Sequence, residues 1–348
     1  MIESQRGRGG AIEMKHRLLG STGIRVSELC FGTMSFGDVA DERTSASLYR
    51  RAREAGVDFF DCANVYSAGR AEEILGSLTE PERDRVVLTT KVGFPIGSDP
   101  NDRGLSRRHI VASLEASLRR LRTDRVEILF VHTFDSSTPI AETLRALDLV
   151  VRQGKALHVG ASNWAAWQIA TALGISRREA LVGFSCIQPM YSLVKRQAEV
   201  EILPLAHAEG LGVVSYSPLG GGLLSGKYGM ETKPECGRLV ENRMYAVRYG
   251  ERAYYDAAVA FAVLAREVGV HPATLAVAWV KSHPAMTAPI LGARSVEQLE
   301  PSLAAADFAM TDELYARVAS LVPTPPPATD RTEEQKGVAY KGSAEKTK

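Results

Sequence analysis

The chain predicts an α/β fold, a single (β/α)8 TIM barrel with an N-terminal β-hairpin and extended C-terminal loops. Three observations carry that expectation. Strand-like and helix-like patterns alternate along the sequence, the order of a parallel sheet wrapped by helices. Apolar runs end on ionisable residues: FFD closes on Asp61, VVLTTK on Lys91 and VEILFVH on His132, and the carboxyl ends of barrel strands are where such enzymes place their chemistry. Finally, no GxGxxG follows a strand and opens a helix; the Gly220-Gly221-Gly222 run fails that spacing, which argues against a doubly wound dinucleotide domain.

The elements follow in order. HRLLGSTGIRVS reads as a hairpin turning at Ser21-Thr22-Gly23, placed to close the bottom of the barrel. Eight strands are expected near 28–32, 59–61, 86–91, 127–132, 156–161, 183–188, 212–216 and 288–291. After Ser106, residues Ile110, Leu114, Leu118 and Leu121 recur at helical spacing, so one face packs on the barrel while Arg107, Arg108 and Arg119 stay wet. Thr138-Pro139 reads as a cap followed by proline at the first helical position, and Gly154 as the stop of that helix. Val263, Leu264 and Trp279 are assigned to the core. Residues 1–14 are expected to be a disordered extension, 15–321 the barrel, and 322–348 a flexible tail, proline-rich and then Lys/Glu-rich, whose alternative is to fold over the barrel mouth.

Composition agrees with an ordinary globular enzyme. The 348 residues carry a net charge of +1, with 45% hydrophobic and 24% charged residues, so there is no electrostatic case for binding nucleic acid or a membrane surface. The length would permit two domains, but one barrel of about 250 residues with loops and a tail uses it as well. Cys30, Cys62, Cys186 and Cys236 are scattered without CxxC or Cys/His ligand spacing; they read as free thiols of a reducing cytoplasm, and no metal is expected. No segment approaches 18 uninterrupted apolar residues, and MIESQRGRGGAIE lacks the apolar centre of a signal peptide.

The strand-end residues supply what a carbonyl reduction needs. A hydride arriving at a carbonyl carbon leaves negative charge on the oxygen, which must be protonated or stabilised in place. Tyr66 can donate the proton once a nearby cation lowers its pKa from about 10. Lys91 is that cation, Asp61 its partner, and His132 would orient the carbonyl. Taken singly, each residue has a stronger bland reading: an Asp capping a turn, a solvated Lys, a structural His.

The surrounding text shifts that balance. DFFDCANVYSAGRAEEILG, LTTKVG, FVHTFD, GASNW, SYSPLGGGLLSGKY and ILGARSVEQL occur in order along the chain. This resembles the aldo-keto reductase superfamily, specifically its prokaryotic, oligosaccharide-oxidoreductase-like and channel-β-subunit-like branches, from about Lys15 to about Leu321. The first and fifth strings are close to diagnostic. The resemblance implies that Asp61, Tyr66, Lys91 and His132 form the catalytic tetrad and that NADP(H) is the cofactor, with Gly32, Thr33, Met34, Asp61 and Gly292 among its contacts.

Without a doubly wound domain, the C-terminal barrel loops must hold a dinucleotide. Ser162 and Asn163 after the fifth strand, with Gln188 after the sixth, can hydrogen-bond a carboxamide, although Ser-Asn also makes an ordinary turn. In the family the matching positions fix the nicotinamide, and Tyr216 supplies the face on which it stacks. Arg294, beside the helix cap Ser295, offers a guanidinium at a helix N-terminus, a doubly favourable anion site. Gln298 either closes a capping box on Ser295 or, as the resemblance implies, lies near the adenosine. The family usually has Asn where Ser302 stands, which bears on adenine affinity. Backbone amides from Ser217 through Leu219 and Gly221 to Gly222 could wrap the pyrophosphate, assisted by Lys227. The stretch from Tyr228 to about Arg252, bearing Arg238, Arg243 and Arg248, reads as a lid or else a solvated insertion.

Met34, Phe36, Phe94, Phe134 and Trp164 lie just beyond strand ends and are expected to line an apolar mouth, the alternative being core edge. The resulting expectation is NADPH-dependent reduction of a small aldehyde or ketone, in a monomer or small homo-oligomer. The alternative is a cofactor-binding regulatory subunit of the channel-β kind with little turnover.

Overall fold

Eight parallel strands close on themselves in a computed structural model that describes residues 12–228, 234–235 and 237–335. They are β3 (Cys30–Gly32), β4 (Phe59–Asp61), β5 (Val87–Val92), β6 (Val126–Val131), β7 (Ala156–Ser162), β8 (Cys186–Gln188), β9 (Gly212–Ser215) and β10 (Ala288–Leu291), each paired with the next and β10 with β3. The strand alternation assigns the two faces. Phe59, Ile128 and Phe130 point into the barrel with Cys30, Cys186, Val214 and Ala288. Phe60, Leu88, Leu129 and Val131 point outward into the helical shell. Two residues beyond the inward aromatics the same parity brings Asp61 and His132 to the top of the barrel.

Strands β1 (His16–Leu18) and β2 (Arg25–Ser27) form the expected antiparallel hairpin. Leu19 and Val26 complete the inner apolar cluster, so the hairpin does plug the barrel. Gly20 makes that approach with φ of 56°, and a Cβ there would lie 2.3 Å from the Gly212 amide nitrogen.

The shell comprises α1 (Glu42–Glu54), α2 (Arg70–Thr79), α3 (Arg107–Arg120), α4 (Ile140–Arg152), α5 (Ala166–Glu179), α6 (Ile202–Ala208), α7 (Arg238–Glu241), α8 (Arg243–Arg248), α9 (Arg252–Val268), α10 (Pro272–Lys281), α11 (Val296–Leu303) and α12 (Asp312–Ala319). Ser106 caps α3 by accepting from the His109 amide, and Ile110, Leu114, Leu118 and Leu121 are buried. Gly154 ends α4 with φ of 71°.

Several expectations need correction. Pro139 is itself the N-cap of α4, and the Thr138 hydroxyl donates to Asp135 at 2.6 Å instead of capping. Val263 is 40% exposed because it falls on the outer side of α9, whereas Leu264 and Trp279 are core. Residues 12–14 are fastened: Ile12 and Met14 pack on the core, and the Glu13 amide donates to Asp307. The remainder of the expected 1–14 extension, Cys236 and positions 336–348 of the tail lie outside the described residues. The 228–252 stretch contains α7 and α8, anchored by buried Leu239, Tyr245 and Tyr249. Among the described residues no single helix is long and apolar enough to cross a membrane.

Candidate active site

Lys91 is fully enclosed at the top of β5, and its ammonium donates to Asp61 Oδ2 at 2.5 Å, to the Cys62 carbonyl at 2.7 Å and to the Tyr66 hydroxyl at 3.3 Å. The other Asp61 oxygen accepts from Thr89 Oγ1 at 2.7 Å and Gln188 Nε2 at 2.8 Å. Such a pair survives burial because each charge meets both a counter-charge and hydrogen bonds. His132 stands edge-on to the Tyr66 ring, centroids 5.9 Å apart, and against Phe94 at 4.4 Å. Its Nδ1 is buried without a partner, and its backbone carbonyl accepts from Asn163 Nδ2 at 3.0 Å. The four residues expected to act together are thus assembled.

The electrostatics differ from expectation in one respect. Burial pushes the Tyr66 phenol up to about 12, and Lys91 only partly offsets it. Burial works against the Lys91 ammonium, but Asp61, Tyr66 and Cys62 prevail and hold it above the ordinary lysine value. His132 is held well below the usual imidazole range by burial first and Lys91 second, so the ring is neutral. The site at neutral pH holds a protonated phenol, a neutral imidazole and a balanced ion pair.

Tyr66 sits on an unusual turn. Ser67, Ala68 and Gly69 follow it with φ of 48°, 52° and 94°. For two side-chain-bearing residues this left-handed region costs on the order of 1–2 kcal/mol each, and such strain clusters at functional sites.

A cavity of about 630 Å³ runs from the tetrad across the C-terminal end of the barrel. Its walls include Tyr66, His132, Gly32, Met34, Phe94 and, farther along, Ser162, Asn163, Gln188, Tyr216, Ser217, Leu219, Gly221, Lys227, Gly292, Arg294, Gln298 and Ser302. Lys91 stands behind the wall. Four further expected residues do not line it. Thr33 is fully buried and donates its hydroxyl to the Asp61 carbonyl, tying β3 to β4. Phe36 is core, its ring 5.8 Å from Phe31, because the chain turns back there, with the Phe36 amide donating to the Thr33 carbonyl and the Gly37 amide to the Ala40 carbonyl. Trp164 is also core, and Phe134 rests edge-on against it at 5.0 Å. Of the expected aromatic mouth, Phe94 with Met34 remains.

The cavity's chemistry fits a nicotinamide dinucleotide. At one end the side chains of Ser162, Asn163 and Gln188 converge beside Tyr216, whose hydroxyl donates to Asn163 Oδ1 at 2.7 Å. Lys227, Arg238, Arg248 and Arg294 also line the cavity and gather cationic charge, suited to phosphates. The glycines between contribute space more than donors. Gly220 and Gly222 spend their amides on Ser217 and Leu219 carbonyls, while Gly221 and Gly222 take φ of 68° and 102°. A Cβ on Gly221 would meet the Tyr245 ring at 2.9 Å.

Three features were not legible in the sequence. Glu241 pairs with Arg294 at 2.8 Å. Tyr245 carries the guanidinium groups of Arg238 and Arg248 at 5.0 and 5.1 Å from its ring centre. Gln298 Oε1 accepts from the Arg294 amide at 3.2 Å, one residue before the Ser295 amide that a capping box would use. Among the described residues no group of His, Cys, Asp and Glu could hold a metal ion.

Comparison with known proteins agrees with this geometry. The model of the Aldo/keto reductase family matches residues 28–323. An uncharacterized oxidoreductase, YrpG, of Bacillus subtilis (strain 168) is 39% identical over 329 residues, covering 90% of this chain and 97% of the relative. Two proteins named "Probable voltage-gated potassium channel subunit beta" are similar to the same extent. The one from Oryza sativa subsp. japonica is 38% identical, covering 91% of this chain and 99% of the relative. The one from Arabidopsis thaliana is 40% identical, covering 84% and 92%.

Proposed function

The chain belongs to the aldo/keto reductase family, oxidoreductases that generally use nicotinamide cofactors, and from that premise we propose that it reduces an aldehyde or ketone to the alcohol with NADPH. When bound, the dinucleotide supplies the hydride. The protein's own residues account for the rest. A carbonyl oxygen entering between Tyr66 and His132 meets a phenol and a neutral imidazole, both able to donate a hydrogen bond. Charge developing on that oxygen is stabilised in place, and Tyr66 transfers its proton. Lys91, 3.3 Å behind the phenol oxygen, stabilises the resulting phenolate, and Asp61 keeps the lysine charged. Met34 and Phe94 line the cavity beside these groups and offer an apolar wall to the substrate.

The observation that carries this reading is the Tyr66–Lys91–Asp61 chain opening on the cavity wall. A phenol pushed up to about 12 is protonated at neutral pH, the form able to donate a proton to a carbonyl oxygen. Choice of NADPH rests on Arg294 at the N-terminus of α11, where a guanidinium is worth more to a 2′-phosphate than to a hydroxyl.

The substrate is a small carbonyl compound. Nucleic acid and membranes are not expected partners at a net charge of +1, the free buried thiols Cys30, Cys62 and Cys186 suit a reducing cytoplasm, and the proposal takes the chain to act as a monomer or small homo-oligomer. A second reading, a cofactor-binding regulatory subunit with little turnover, is favoured by the names of the two plant relatives. NADPH oxidation across a panel of aldehydes, keto-sugars and keto-steroids separates them: turnover abolished by Tyr66→Phe supports the reductase. Cofactor binding without turnover, together with a stable complex with a membrane channel, supports the second reading.

A further inference from the structure

Two adjacent residues of β5 carry chemistry on opposite faces of the barrel wall. Lys91 points inward to Tyr66, while Thr90 points outward and donates its hydroxyl to Glu72 of α2, a carboxylate with no solvent exposure. The other Glu72 oxygen receives Arg120 of α3, with Nε at 2.8 Å and Nη2 at 2.6 Å. Arg120 also lies along the Gly69 backbone, where a Cβ would sit 2.9 Å from its Cδ. A carboxylate so placed is stable only with its partners in position, so helix α2, helix α3 and strand β5 are locked in one arrangement.

The turn bearing Tyr66 leads directly into that lock. Its left-handed residues Ser67, Ala68 and Gly69 end where α2 begins at Arg70. A conformation of this kind persists only where its surroundings over-determine it. Its fastenings include Ser67 Oγ, which donates to the Phe36 carbonyl at 2.7 Å, the Asn64 amide, which donates to the Lys91 carbonyl at 3.1 Å, the ion pair of Arg70 with Glu42 of α1, and, at the far end, Glu72 with Arg120.

We infer that Glu72 and Arg120 are positioning residues for Tyr66: by tying the first turn of α2 to the outer face of β5, they hold the phenol where it meets Lys91. The inference rests on the proposed role of Tyr66 as proton donor. Inside the barrel the phenol is faced by Lys91, Asp61, Cys62 and His132, and the Glu72–Arg120 pair acts on it only through the backbone.

Glu72→Gln keeps the shape and the Thr90 hydrogen bond but removes the charge pair; Arg120→Lys keeps the charge but removes the fork. Both should lower kcat for carbonyl reduction roughly ten- to a hundredfold, the effect of a catalytic group displaced by about an ångström, with KM and NADPH affinity changed less than about twofold. The ζ-carbon resonance of Tyr66, assigned by its loss in Tyr66→Phe, should move in the same variants. A merely structural role would lower the thermal midpoint and leave kcat, its pH profile and that resonance at wild-type values in the folded protein; this result overturns the inference. If Glu72→Gln does not fold, Arg120→Lys decides, since the Arg120 side chain is 26% exposed. A shifted resonance in a protein whose wild type reduces no carbonyl would keep the positioning role and remove the proposed function instead.

Discussion

Glu241 and Arg294 meet at 2.8 Å, so an arginine that lines the cavity already has an internal anion. Both side chains are partly exposed, at 44% and 28%, and such a pair is weak enough to exchange. Arg294 draws the Glu241 carboxyl below its usual range. If Arg294 reads the 2′-phosphate as proposed, that phosphate competes with Glu241 for the same guanidinium. Arg294→Ala should therefore weaken NADPH by about 1.5–3 kcal/mol, ten- to a hundredfold, and NADH much less. Glu241→Gln should tighten NADPH and leave NADH nearly unchanged. Quenching of protein fluorescence during titration with each cofactor reads both. Equal losses for the two cofactors in Arg294→Ala, or weaker NADPH binding in Glu241→Gln, would refute the competition.

Tyr66→Phe removes one oxygen and leaves the ring stacked edge-on to His132. Turnover should fall by orders of magnitude with NADPH affinity almost unchanged, because only an interaction made in the transition state is lost. Near wild-type turnover in this variant would exclude Tyr66 as the acid.

The grouping of Asp61, Lys91 and His132 was readable because each lies at or just past a strand end, where strand parity brings such residues to one rim, whereas Tyr66 reaches them from the turn after β4. What lay beyond reach depended on partners far along the chain. Glu72 reads as one of two acidic residues on a helix, and only the packing of α3 turns it into a buried pair with Arg120. Arg294 was legible as a cation beside a helix start, but not the glutamate that pairs with it. The Tyr66 phenol was expected to be lowered by Lys91; the sequence displays the cation but not the enclosure, which outweighs it. Phe36 failed for a related reason, since the loop after β3 folds back and a residue written beside the mouth lands beneath it. The hairpin and all eight strands were legible with small errors at their ends, where hydrogen bonding rather than pattern sets the limit.

Lys91→Met tests the cation. Removing it leaves burial of the phenol unopposed, so the pKa of the essential acid should rise further from about 12 and turnover should drop. It also leaves Asp61 buried without its counter-charge, at a cost of about 3–5 kcal/mol. Asp61→Asn combined with Lys91→Met removes both charges and should recover part of that stability without recovering activity. The stabilising share of Lys91 is fully present below the unfolded lysine value of about 10.4 and lost as pH rises through its elevated folded value. Urea unfolding of the single and double variants, with kcat against pH, measures each part. A single variant as stable as wild type, with an unchanged pH profile, would make the lysine a bystander.

His132 contributes to the acid limb of stability. Burial and then Lys91 hold its ring well below the ordinary imidazole value, and burial lowers His109, His158, His271 and His283 as well. Below about pH 6.5 the unfolded chain takes up protons at these positions while the folded chain still refuses them. The unfolded state then binds more protons, so stability rises with pH through this window, is fully present above it, and is lost as pH falls toward the folded values. Each histidine contributes a slope of at most about 1.4 kcal/mol per pH unit. The urea midpoint should therefore decline between about pH 7 and 5, ahead of the carboxylates, which titrate near 4. His132→Gln, neutral throughout, should flatten that decline while still folding. Turnover of the wild type should persist into the same range, because the ring proposed to orient the carbonyl stays neutral. A midpoint constant down to about pH 5, or a decline just as steep in His132→Gln, would show that this histidine is not excluded from protonation by the fold.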